Sequence, residues 1–404
     1  MTDKPSYFAM GAHVLLPQEE MLEVGRRKKT LSIGIPREMS RSENRVALTP
    51  QGVELLTSNS HRVVVETGAG LNASYPDAYF SEAGAKIAPS KNEVYQSDII
   101  LKIAPPTDEE IGLLKPDQLL ISLFFPYVQT RESVQKLLDK RINAIAFEYL
   151  KDSNNCLPVV RSMSEIEGTT AVMIAAEYLS KAHDGKGVML GGVTGISPTE
   201  IVILGASTAG EFAAKAAIGL GASVKVFDNS YHHLRELEHY VGQRLFTSIF
   251  HPQVLTKALK SADAVIASFN FANALHHYMV TKEQVAQMKN GAIIIDLSMG
   301  QGGCFETSHC TDFDHPTYVE NGVIHYCVPN VASRVPRTAS IALSNIFAPL
   351  LLNLSESGGI SNLIRQESGI SHGTYIYKGI LTNSQIGREF NLPSKDIGLL
   401  MAAF

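Results

Sequence analysis

The stretch Ile201–Asp228, IVILGASTAGEFAAKAAIGLGASVKVFD, constrains this chain more than any other. The run before the turn, TEIVIL (199–204), is short, mostly apolar and rich in β-branched residues, the pattern of a parallel strand buried on both faces. The chain turns at Gly205. A helical pattern then begins at Ala209, with Phe212, Ala216 and Leu220 recurring at helical spacing, and Gly221 ends it. The next strand is SVKVF (223–227), which stops at Asp228. Together these form a βαβ unit with an altered dinucleotide fingerprint. Gly205 permits the tight turn and Gly210 lets the helix lie close to the strand. Ser207 holds the middle glycine position, and Thr208 and Ala209 complete the expected cofactor-binding turn. Asp228 follows Gly210 by 18 residues, where an acid takes both hydroxyls of a ribose. A carboxylate there repels a 2′-phosphate, so the expected cofactor is NAD(H) rather than NADP(H). A nucleotide-free crossover would need strand, turn, helix and terminal acid to coincide by accident.

At 404 residues the chain is too long for one core, and two domains are expected. A hydrophobic content of 45% and a charged content of 19% are those of an ordinary globular protein. A formal charge of −5 supplies no basic field for nucleic acid or anionic membrane. Cys156, Cys304, Cys310 and Cys327 lack CxxC spacing, so Cys304, His309 and Cys310 are read as loop residues and no metal site is expected. No run is read as a membrane span or a signal peptide, and a reducing cytoplasm is the expected location.

The expected fold is α/β, with two Rossmann-like, doubly wound parallel-sheet domains and a cleft between them. Residues 1–30, ending in Arg26-Arg27-Lys28-Lys29, form an extension with one helix over Gln18–Val24. Residues 31–160 plus 340–404 make a discontinuous substrate domain. Its expected strands are Leu31–Ile35, Arg62–Glu66, Ser97–Ile103, Leu119–Phe125 and Asn143–Phe147, and its expected helices are Gln51–Thr57, Ala78–Ala85 and Ser133–Lys140. Residues 161–339 make the nucleotide domain. It opens on a long helix from Met163 to Ala182 and a loop with five glycines, and it continues through strands at Asp263–Ser268 and Ala292–Leu297. Ligands of open α/β sheets sit beyond the strands' C-terminal ends. The Gly300–Glu306 turn and the Val328–Thr338 segment are therefore the places to look for substrate and nicotinamide.

With these pieces placed, the chain resembles the alanine dehydrogenase / pyridine nucleotide transhydrogenase α-subunit family. The matching stretches are IGIPREMSRSENRVALTPQGVELL (33–56), VVETGAG (64–70), MSEIEG (163–168), GKGVMLGGVTGISPTEIVILGASTAG (185–210), DLSMGQGGCFE (296–306), DHPTY (314–318) and CVPNVASRVPRTAS (327–340). The resemblance implies an NAD enzyme, dimeric or hexameric, that holds a small amino or keto acid between its domains. It implies that Arg45 binds the substrate carboxylate, that Asn330 hydrogen-bonds bound ligand and that Ser164 lies near the cofactor.

Three positions depart from the family pattern. Ala104 stands where the family has a substrate-binding lysine, Phe125 where it has a histidine, and Gly300 where it has an aspartate. Lys102 shares a strand face with Ala104 and lies about 7 Å from it; it either reaches toward the vacated site or serves an ion pair elsewhere. ASFNFANALHHYM (267–279) also departs, placing Phe269, Phe271, His276 and His277 beside the expected cofactor turn. Three readings remain open on sequence. The leading one is an NAD-linked dehydrogenase of the alanine dehydrogenase type with changed substrate or lowered rate. The others are an NAD(H)-binding subunit that passes hydride to a membrane transhydrogenase partner, and a catalytically silent paralogue.

Overall fold

The computed structural model describes residues 29–183, 185–269 and 279–403. The expectations for residues 1–28, and for Phe271, His276 and His277, lie outside the described residues.

Strands form where the sequence carries apolar, β-branched runs. They are β1 (Ser32–Ile35), β2 (Arg62–Glu66), β3 (Lys86–Ala88), β4 (Ile99–Leu101), β5 (Leu119–Ser122) and β6 (Asn143–Ala146). The chain continues with β7 (Glu200–Leu204), β8 (Ser223–Phe227), β9 (Phe246–Ser248), β10 (Ala264–Ala267), β11 (Ile293–Asp296), β12 (Thr317–Glu320) and β13 (Val323–Tyr326). It ends with β14 (Thr374–Tyr377) and β15 (Ile380–Leu381). The first sheet runs β15-β14-β6-β5-β4-β1-β2-β3 and the second β12-β13-β11-β10-β7-β8-β9. In both, the six parallel strands follow the doubly wound 3-2-1-4-5-6 order, and the strands added at one edge (β14 and β15, or β12) are antiparallel. The switch points fall between β1 and β4 in one sheet and between β7 and β10 in the other.

Two long helices tie the sheets together. Pro158–Leu179 packs against the Gly-rich helix Thr208–Gly219 at very short range, because a Cβ added at Gly168 would lie 2.1 Å from the Ala209 carbonyl oxygen. Pro336–Glu356 buries Leu343, Phe347, Leu351 and Leu354 in the core of the first sheet. Its Ser340 and Ser344 hydroxyls accept from the Val46 and Thr49 N–H groups at 2.9 and 3.2 Å. This helix has the length of a membrane span and a mean hydropathy of 1.4, but half of that window is buried inside the protein.

Several boundaries differ from the sequence reading for local reasons. The strand expected to reach Phe125 stops at Ser122, since Phe125 adopts φ 49° and ψ 80° just ahead of Pro126. The helix expected over Ala78–Ala85 ends at Glu82, and β3, a short edge strand, follows it. Two further helices, Tyr231–Val241 and Pro252–Ser261, have no counterpart among the expected elements.

Candidate active site

The Gly-rich turn sits at the β7–β10 switch point. Gly205 has φ +104°, and a Cβ there would meet the Ser268 carbonyl oxygen at 2.9 Å. A Cβ at Gly210 would lie 2.1 Å from the Gly205 carbonyl oxygen, so helix and strand approach as closely as backbone allows. Ser207 caps the helix, its hydroxyl accepting from Gly210 N–H at 3.3 Å. The first-turn N–H groups of Thr208 and Ala209 have no intrahelical acceptor and point toward any anion placed there.

Asp228 ends β8 beside this turn and is buried. One carboxylate oxygen accepts from Ala206 N–H at 2.8 Å and the other from Ser230 N–H at 2.7 Å. Each oxygen keeps a further lone pair, which suits the two hydroxyls of a ribose. Between Asp228 and the turn lies a cavity of about 500 Å³, lined by Gly205, Ser207, Thr208, Asp228 and His233 among others. The donor set and the cradle fit the adenosine and pyrophosphate portion of a dinucleotide. Ser164 stands one helical turn before Gly168, on the face turned to Ala209.

Contacts between the sheets' C-terminal loops bring the remaining site residues together. Arg45 follows β1 and is buried, with Nε and Nη2 donating to the two Glu43 oxygens at 2.7 and 2.6 Å. Nη1 donates to the thioether of Met163, a weak acceptor, at 3.3 Å. Glu43 thus takes the guanidinium side-on and leaves the Nη1–Nη2 edge for a second carboxylate. Asn330, from the loop after β13, donates to Glu43 at 2.9 Å and to the Ser42 carbonyl at 3.3 Å. Ser333 accepts from Asn44 N–H at 2.7 Å. Arg45 and Asn330 therefore meet through Glu43.

Glu167, on the long helix, completes this cluster. Burial raises its pKa to about 7, against the opposing pull of Arg45 and the Ala332 N–H. It is neutral in mildly acid solution and ionised above neutrality.

Of the two readings left open for Lys102, the structure shows the ion pair. Its side chain is 2% exposed, and its ammonium lies on Glu110 at 3.2 Å, Glu38 at 3.4 Å and the Pro105 carbonyl at 3.2 Å. Glu38 in turn accepts from Ile103 and Ala104 N–H at 2.5 and 3.3 Å. Burial raises the pKa of Glu38, and Lys102 opposes that rise. Lys102 thus holds the β1–β4 switch point together in place of reaching toward the Ala104 position.

Phe125 and Gly300 face each other directly. The tip of the Phe125 ring would lie 2.9 Å from a Cβ built at Gly300. The Phe125 turn hangs from Glu148, which accepts from the Phe124 and Phe125 N–H groups at 2.8 and 3.1 Å. The turn bearing Gly300 hangs from the fully buried Asp296, which accepts from Ser298 N–H, Cys304 N–H and the Ser308 hydroxyl at 2.9, 2.7 and 2.7 Å. Burial raises the pKa of both acids, and the N–H groups they accept from oppose the rise. Cys304 is buried and Cys310 exposed, and among the described residues no group of His, Cys, Asp and Glu is arranged to hold a metal.

The sequence reading missed Glu43, Glu167, Glu148 and Asp296. Each left a weak signal: Glu43 two residues before Arg45, Glu167 one helical turn after Met163, and Glu148 and Asp296 as acids closing apolar strands.

Comparisons with known proteins identify the family. Residues 34–167 match the family model of the alanine dehydrogenase/PNT N-terminal domain, and residues 171–384 match that of the C-terminal domain. The chain is 37% identical over 358 residues to alanine dehydrogenase of Bacillus subtilis, covering 88% of this chain and 94% of that protein. It is 35% identical over 368 residues to alanine dehydrogenase 2 of Staphylococcus aureus, covering 91% and 98%. A solved L-alanine dehydrogenase superposes with a TM-score of 0.82 at 34% identity, covering 89% of this chain and 99% of that one. A transhydrogenase from Sinorhizobium meliloti shares the fold, with a TM-score of 0.74 at 23% identity over 88% of this chain and 99% of that one. With both domain models matched in order and relatives aligned over nearly their whole length, the chain belongs to the alanine dehydrogenase/PNT family.

Proposed function

We propose that this protein is an NAD(H)-linked oxidoreductase of the alanine dehydrogenase type whose proton-transfer groups have been replaced. It then deaminates L-alanine weakly and acts on another small carboxylate. The carrying observation is the Phe125 ring set against Gly300, at the two positions where the family resemblance implies a histidine and an aspartate. NAD, when bound, supplies the hydride acceptor. The chain's own residues do the rest. The Gly205–Gly210 turn and Asp228 seat the adenosine and pyrophosphate, with Ser164 beside them. The Nη1–Nη2 edge of Arg45 grips the substrate carboxylate, and Asn330 fixes Glu43 so that this edge faces the ligand. Phe125 neither donates nor accepts a proton. A positioned acid/base contributes about 10²–10⁴ in rate, or roughly 3–5 kcal/mol of barrier, so losing two such groups is a large deficit for an amino-acid dehydrogenase.

In this reading residues 31–160 with 340–404 form the substrate domain and 161–339 the nucleotide domain, with the protein a cytoplasmic homo-oligomer. Steady-state NADH formation across a panel of amino and 2-hydroxy acids tests it. Turnover of one member well above that of L-alanine supports the proposal, and L-alanine as the best member overturns it. The same Phe125–Gly300 pair favours a second reading, hydride transfer to a partner protein's nucleotide, because passage between two nicotinamides moves no proton.

A further inference from the structure

Glu167 is half-buried on the long helix Pro158–Leu179, one turn past Met163. The Met163 sulfur accepts from Arg45 Nη1 at 3.3 Å, so Met163 and Glu167, at i and i+4, share the helix face turned to Arg45. Ser164 lies beside them, on the part of the helix turned to the Gly-rich turn. The Glu167 carboxylate accepts from Ala332 N–H, in the segment that also carries Asn330. It therefore stands where the carboxylate grip, the loop after β13 and the nucleotide turn meet. The charged group that acts on it is Arg45, and Arg45 in turn feels Glu43 and Glu38. Arg45 keeps Glu43 as its direct partner at 2.6 and 2.7 Å, which leaves the Glu167 carboxylate open to a ligand.

We propose that Glu167 is the acid/base of this site, and that the substrate it serves is a 2-hydroxy acid, interconverted with its 2-keto acid. The proposal rests on the oxidoreductase reading above. Oxidising an amino acid takes more than loss of hydride: water has to be activated to hydrolyse the imine, and further proton transfers release ammonia. The Phe125 ring set against Gly300 offers no group for that work. Oxidising a 2-hydroxy acid needs one proton transfer and no water. The C–H electron pair leaves as hydride to the nicotinamide, the carbon–oxygen double bond forms, and the hydroxyl proton passes to the Glu167 carboxylate. In the reverse direction the protonated carboxyl returns its proton to the keto oxygen as hydride arrives. One carboxyl meets this demand, and a pKa of about 7 populates both of its forms near neutrality. Charge balance favours the same proton. Arg45 is already matched by Glu43, so a substrate carboxylate leaves no cation for an ionised Glu167. Keto acid and proton therefore bind together.

Calorimetric titration of the NADH-loaded, full-length protein with pyruvate and with 2-oxobutyrate tests it, run at pH 8 in two buffers of different ionisation heat. The difference between the buffers counts the protons taken up. Each keto acid bound should bring in about half a proton or more, because Glu167 is mostly ionised at that pH before binding. Glu167→Gln should still bind NADH, which shows that it is folded, and should take up clearly less. NADH oxidation by the same keto acids should proceed without ammonia and gain nothing from its addition. It should fall about 100-fold or more in Glu167→Gln, the scale of one acid/base group. Equal proton uptake in the two proteins, a keto-acid reaction that needs ammonia, or binding of neither keto acid overturns the proposal and leaves the cofactor reading standing. If NADH itself fails to bind, the cofactor reading fails and the proposal falls with it.

Discussion

Replacing Gly300 by aspartate alone should destabilise the protein, and replacing Phe125 by histidine in the same chain should relieve that loss. A Cβ at position 300 would lie 2.9 Å from the tip of the Phe125 ring, where ordinary van der Waals contact begins near 3.4 Å. The ring has to swing away, yet its backbone stands at φ 49° on two hydrogen bonds to Glu148. Overpacking of this kind costs about 1–3 kcal/mol, and the ring tip, being a side-chain end, puts the value toward the lower part. Phe125→His alone should be close to neutral. It removes a half-buried ring, but histidine tolerates positive φ better than phenylalanine. In the double variant the smaller ring vacates the space the aspartate needs, and the coupling should be about 1–2 kcal/mol in favour of the pair. Urea midpoints of the four proteins, compared at one pH with slopes checked for constancy, give this number. Additivity within about 0.5 kcal/mol would refute the contact and, with it, the idea that these positions changed as a unit.

Other outcomes follow from the same geometry. Gly210→Ala forces a methyl to 2.1 Å from the Gly205 carbonyl, so it should weaken NADH binding sharply, as read by calorimetry. Arg45→Ala should weaken pyruvate binding to the NADH-loaded protein by about tenfold or more, as loss of a charge-assisted pair implies. It should also lower stability, since Glu43 is left buried and uncompensated. Pyruvate binding should fall as pH rises through about 7, because Glu167 then gains a negative charge beside Arg45. Glu167→Gln should remove that fall, and calorimetry across pH 6–8 reads both.

Much of the fold was legible because parallel strands buried on both faces read as plain apolar runs. LLIS, IIID and EIVIL fall where their hydrophobicity placed them. Edge strands such as β3 and β9 were not, since a three-residue strand of mixed polarity carries no periodicity. The Gly-rich turn was legible because its glycines answer to local backbone demands at Gly205 and Gly210. The substrate side was harder. That Arg45 is gripped side-on by Glu43 depends on rotamers, and that Lys102 turns to Glu38 and Glu110 depends on residues far apart in sequence. The Phe125–Gly300 contact joins residues from two sheets, and no local pattern announces it.

The most direct measurement is the rate of NADH formation from L-alanine at saturating NAD, for the unmutated protein beside the variant carrying Ala104→Lys, Phe125→His and Gly300→Asp. The account predicts an unmutated rate at least about 100-fold below that of the triple variant, the share of one restored acid/base group. Rapid alanine turnover by the unmutated protein would contradict it, because proton transfer would then be running without a histidine at position 125 or an aspartate at position 300.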